Sequence, residues 1–109
     1  MTKLNIKKIL NDFPTFDEHI QEELKDKETQ KEYLKIHLED YAKDGDYVVF
    51  FKALERVIKA RTSISQFAID IDVNRSNLSN ILKGKVQPSF DTTMKILRGL
   101  GAEFEIRIA

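Results

Sequence analysis

Apolar residues recur along most of this chain at spacings of three and four, the period of an amphipathic helix, and change to strict alternation only at the very end. Pro14 in "NDFPT" is a break, because a proline disfavours helical backbone in the residue before it, and a short helix is expected upstream. Phe16, Ile20 and Leu24 then share one helical face, and Asp26 is placed to cap a following helix. Between Lys27 and Lys43 that helix carries a broad stripe of Tyr33, Leu34, Ile36, His37, Leu38 and Tyr41 before "KDGD" ends it at Gly45. Asp46 caps the next, in which Val49, Phe50, Ala53, Leu54, Val57 and Ile58 mark the core face.

The second half is divided more finely. Ser63 followed by Gln66 is a capping-box pair, opening a short helix that buries Phe67, Ala68 and Ile71. Asp72 and Val73 make a turn, Asn74 caps a helix running to Lys83, and Gly84 stops it. Pro88 and Ser89 start a last helix with Phe90, Met94, Ile96, Leu97 and Leu100. Beyond Gly101, Phe104, Ile106 and Ile108 alternate with Glu103, Glu105 and Arg107, which predicts a strand. A lone strand cannot satisfy its own backbone groups, so it is expected to pair with a second chain. The fold class is therefore all-α, with a short C-terminal β-strand.

Two short helices joined by a tight turn form the helix-turn-helix pattern. With roughly 100° of rotation per residue, Leu78, Ile81 and Leu82 fall on one face of the second helix. Ser76, Asn80 and Lys83 fall opposite them, Asn77 and Ser79 on the flanks, and Arg75 at the tip. Arg can grip guanine and Asn adenine through paired hydrogen bonds, while Ser accepts several partners. The backbone N–H groups behind the Ser63 cap, together with Lys83 and Lys85, suit DNA phosphates.

The charge balance changes this picture only in its distribution. Lys and Arg equal Asp and Glu over the 109 residues, but residues 1–45 hold eight lysines against eleven acids, and residues 46–109 ten basic residues against seven. The chain is thus read as an acidic helical extension over 1–45 and a helix-turn-helix unit with its strand over 46–109. From Asp17 to Asp44 there are ten acids and five lysines, a surface that could dock a basic protein.

Other chemistry finds little support. Cysteine is absent, which excludes disulfides and thiolate metal sites, and no apolar run is long enough for a signal peptide or a membrane span. A cytoplasmic protein without membrane contact is expected. His19 has Glu23 at i+4 and His37 has Tyr41, so neither forms a convincing metal pair, and His19 is expected at the surface. "KGKVQPS" lacks the spacing of a phosphate loop, and no nucleophile and base are paired, so neither catalysis nor a cofactor is expected.

The segment "SISQFAIDIDVNRSNLSNILKGKVQPSFDTTMKILRGLG" resembles the lambda-repressor-like (XRE/Cro-CI type) helix-turn-helix. "EYLKIHLED", "ALERVIKAR" and "PSFDTTMKILRGLG" resemble HigA-type antidote proteins, the resemblance extending from about Phe16 to the C-terminus. It implies a homodimeric antitoxin of a type II, HigBA-like module. Such a protein sequesters a RelE/HigB-like toxin, a basic messenger-RNA-cleaving ribonuclease, and binds double-stranded operator DNA to repress its own operon. By the same resemblance Arg75, Ser76 and Asn80 match base-contacting positions, and Asn77, Lys83 and Lys85 backbone-contacting ones. Ile64 departs from the phosphate-binding glutamine of many lambda-like repressors, Asp72 from the turn glycine, and Ser76 and Ser79 from larger side chains. A stand-alone repressor without a toxin, or an adaptor with a vestigial helix-turn-helix, remains open. The toxin could dock on the acidic helices or add to the C-terminal strand, and the last helix with that strand is the favoured dimer surface.

Overall fold

The computed structural model describes residues 16–103 and 107–109. Among them six α-helices follow in order: α1 (Phe16–Glu23), α2 (Lys27–Asp44), α3 (Tyr47–Arg61), α4 (Ile64–Ile71), α5 (Arg75–Leu82) and α6 (Phe90–Gly99). Among the described residues there is no strand. Phe104 and Ile106, which carry most of the expected alternation, lie outside the described residues, as does the expected helix before Pro14, and Ile108 is 92% exposed.

Helices α2 to α6 each begin where a short polar side chain offers an oxygen to unpaired amides. Asp26 accepts from the Thr29 N–H at 3.0 Å, and Asp46 accepts from the N–H groups of Val48 and Val49. Ser63, Asn74 and Ser89 do the same for α4, α5 and α6. Such caps contribute about 0.5–2 kcal/mol each. Asp26 accepts from both the backbone and the hydroxyl of Thr29, which holds its carboxyl below the usual value.

α3 is the hub, packing against α1, α2, α4 and α5. Phe50, Phe51, Ala53, Leu54, Val57 and Ile58 are all buried there, joined by Ile20 of α1, Leu24 just after it and Tyr33 of α2. The expected core face of α3 is rotated slightly: Val49 is 48% exposed, whereas Phe51, outside the expected set, is 3% exposed. The run "YVVFF" fits two helical faces, and packing against four helices selects the one carrying both phenylalanines.

The stripe on α2 is covered only in part. Tyr33 is buried, but Leu34, Ile36, His37, Leu38 and Tyr41 are half-buried, because this 18-residue helix rests chiefly on α3 along one side. Tyr41 stacks on Phe50 at 5.6 Å, and Tyr33 meets His37 edge-on at 4.6 Å. Glu55 is a charged residue in the core, 7% exposed, and is held by Lys52 at 2.9 Å and Lys59 at 3.9 Å.

Candidate nucleic-acid interface

α4 and α5 are two short helices joined by a tight turn, the local arrangement that the spacing of caps and apolar residues predicts. Phe67 and Ala68 fix the inner side of α4, with Ile64 and Ile71 half-buried against the same core. Half of the expected capping box is present: the Ser63 hydroxyl accepts from the Gln66 N–H at 3.0 Å, but the Gln66 side chain donates to Asp70 at 2.8 Å. A carboxylate one helical turn ahead offers the amide a partner that does not require it to fold back.

Asp72 decides the turn. It adopts left-handed backbone, φ 58° and ψ 53°, and no other described non-glycine residue has a positive φ. Its N–H donates to the Ile69 carbonyl and that of Val73 to the Ala68 carbonyl, the paired bonds that terminate a helix sharply. Left-handed geometry costs an ordinary L-residue roughly 1–2 kcal/mol, less for Asp, whose short polar side chain bonds locally. Asp72 thus does what a glycine does elsewhere, and the Asn74 cap that opens α5 stands two residues later.

α5 is clamped by Leu78, Ile81 and Leu82, each at most 1% exposed. Burial of such side chains stabilises by about 1.5–3 kcal/mol apiece, which outweighs the weak helix preference of "RSNLSN". Gly84 ends the helix with φ 75°, and a Cβ there would stand 3.0 Å from Val48 Cγ1, so the close approach to α3 also calls for glycine.

With that face fixed, Arg75, Ser76, Asn77 and Lys83 are exposed, and Ser79 and Asn80 are half-buried at its margin. Ser63 and Lys85 are exposed at either end of the helix pair. Every site residue picked out from the sequence is therefore carried by this one helix pair and its flanks. Arg75 is not loose: its Nε donates to the hydroxyl of Ser65 on α4 at 2.5 Å. Ser65 is not among the expected site residues, since nothing in its own neighbourhood marks a partner ten positions away.

Beside the end of α5 lies an open depression of about 360 Å3, lined by Val48, Val49 and Leu82 and by Lys52, Glu55, Arg56 and Lys83. Its carboxylate is already engaged by Lys52, and the Arg56 guanidinium donates to Tyr33 Oη at 3.1 Å. The expectation for His19 is corrected: it lies 3.5 Å from Glu23 as its spacing suggested, but is 4% exposed, because the face that carries Ile20 into the core takes His19 with it. Among the described residues no group of three or more His, Asp or Glu side chains is placed to hold a metal ion, and no helix is long and apolar enough to cross a membrane.

No solved structure matches the chain. An uncharacterized protein of Haemophilus influenzae is 29% identical over 79 residues, covering 72% of this chain and 80% of the relative. Residues 13–108 match the model of a family described as "Probable addiction module antidote protein", a span that takes in all six helices. The chain therefore belongs to the addiction module antidote family, the antitoxin side of a toxin-antitoxin pair.

Proposed function

We propose that this antitoxin acts in a HigBA-like module, binding operator DNA as a homodimer and holding a RelE-like messenger-RNA-cleaving toxin inactive. α5 lies in the major groove and the second chain presents its copy to the next half-site, about 34 Å or a multiple of it away. The observation that carries the reading is the division of α5 into a face of Leu78, Ile81 and Leu82 sealed in the core and an opposite face of Arg75, Ser76 and Asn80 with no apolar side chain. Hydrogen-bonding side chains that are mostly short let a helix approach base edges closely. Lys83, Lys85 and the amides behind Ser63 meet phosphates, with Asn77 and Ser79 at the edge of the contact.

The toxin falls to the other half. The acidic residues of α1 and α2 complement a ribonuclease that must itself be basic to hold RNA, leaving α5 free for DNA. Two measurements test the reading. Filter binding to random duplex at low salt should retain the protein on DNA, and loss of retention would remove the DNA-binding role. Co-expression with the neighbouring reading frame should rescue growth from a small basic toxin; a neighbour harmless on its own would leave a repressor without a toxin.

A further inference from the structure

Ser65 and Arg75 face each other across the turn, and the bond between them restricts how Arg75 can be used. A guanidinium carries five N–H groups, one on Nε and two on each terminal nitrogen. With Nε donating to Ser65 Oγ at 2.5 Å, the side-on fork made by Nε and one terminal nitrogen is closed. The end-on fork, with one N–H from each terminal nitrogen, remains available. Both residues are exposed, and the neighbouring Gln66 is committed to Asp70 at 2.8 Å, so it does not compete for Arg75. A neutral hydroxyl also leaves the positive field of the guanidinium uncompensated, whereas a carboxylate partner would offset it.

We propose that Ser65 is a positioning residue that holds Arg75 for end-on, bidentate recognition of guanine O6 and N7, and so specifies one guanine in each half-site. This rests on the assignment of α5 as the reading helix. A long side chain at the tip of a helix otherwise samples many rotamers, and every contact to a base must first meet that ordering cost. Fixing Nε beforehand lowers it and aims the plane of the guanidinium. Guanine follows from the chemistry of the fork, because only G offers two acceptors side by side in the major groove.

The test starts from the duplex that the wild-type protein selects from a randomised pool, and from three variants replacing the contacted guanine pair. Ser65→Ala should lower the preference for guanine about five-fold, the net worth of one hydrogen bond, while leaving affinity for random duplex and its salt dependence unchanged. Ser65→Thr should retain the preference. In an Arg75→Ala background Ser65→Ala should change nothing, since it acts through the arginine. Equal losses in both backgrounds, or a uniform loss on every duplex, would show that Ser65 contacts DNA on its own account and would overturn the proposal. If wild-type protein selects no duplex, the reading-helix assignment fails and the role of Ser65 fails with it. Circular dichroism of each variant confirms the helical fold, which an exposed serine hydroxyl does not support.

Discussion

Arg61, the last residue of α3, is tied to Gln30 of α2: its Nε donates to Gln30 Oε1 at 2.8 Å while one terminal nitrogen donates to the Leu100 carbonyl, also at 2.8 Å. Gln30, 3% exposed, donates from its side-chain Nε2 to the Leu24 carbonyl at 2.7 Å. The end of α1, the start of α2, the end of α3 and the end of α6 thus meet in one polar knot. An unmet buried donor or acceptor costs about 1–3 kcal/mol, so Gln30→Ala should destabilise by that amount or more. Arg61→Lys should lose a similar share, because a single ammonium does not reproduce the planar fork. Urea unfolding measures both, and a change of only a few tenths for Gln30→Ala would mean the knot adds little.

Gly99 offers a prediction against the usual trend. Within a helix Gly→Ala ordinarily stabilises by roughly 0.5–1 kcal/mol. Here the new Cβ would collide with Ile71 Cγ2 and stand 3.0 Å from Phe67 Cζ, both on α4. Overpacking of that kind costs about 1–3 kcal/mol, so Gly99→Ala should lower the melting temperature. Removing the obstructing methyl with Ile71→Ala should make the pair less damaging than the sum of the two changes. A stabilised Gly99→Ala would show that α6 can lift from α4 without cost.

His37 makes the fold less stable as the solution is acidified. Burial disfavours its charged form and Arg56 acts in the same direction, while Asp40 opposes them, and the net effect holds the imidazole below its ordinary value of 6.5. Its Nδ1 is buried with no hydrogen-bond partner. The unfolded chain therefore takes up this proton more readily than the folded one, so stability rises with pH. The contribution is fully present above 6.5 and is lost as pH falls from there toward the folded value. Between about pH 7.5 and 5, where ordinary carboxylates stay largely ionised, the urea midpoint should decline for wild type. His37→Phe, which keeps an aromatic ring against Tyr33, should flatten that decline; an unchanged profile would assign it to another group.

These features are not equally legible in the amino-acid sequence. Helix starts are, because Asp26, Asp46, Ser63, Asn74 and Ser89 act on amides two or three residues away. The left-handed turn at Asp72 and the stop at Gly84 are equally local. The polar outer face of α5 follows from helical rotation alone. Local pattern fails where the deciding partner is remote: Val49 against Phe51 is settled by four surrounding helices, and the burial of His19 by how α1 sits on α3. Phe90, expected to help bury α6, is 78% exposed, since it stands at the first position of that helix, before the packed turns of Ile96 and Leu97. The Gln30–Arg61 bond spans 31 positions and Ser65–Arg75 ten, and polar pairs at such distances leave no periodic trace.

Two kinds of contact proposed for the candidate interface can be told apart by salt. Lys85 follows Gly84 on the surface, with its N–H donating to the Asn80 carbonyl at 2.9 Å, so its backbone is fixed while its side chain is exposed. A lysine that neutralises one phosphate releases a condensed counterion, and each contributes about 0.9 to the slope of log affinity against log salt. Lys85→Ala should weaken operator and random duplex alike and reduce that slope by about 0.9 for each half-site the dimer occupies, and adding Lys83→Ala should roughly double the change. Asn80→Ala should leave the slope alone and remove about 1–3 kcal/mol of discrimination between operator and random duplex in each half-site. An Asn80→Ala loss equal on both duplexes would deny it a base contact, and an unaltered slope in Lys85→Ala would place that lysine away from the phosphates.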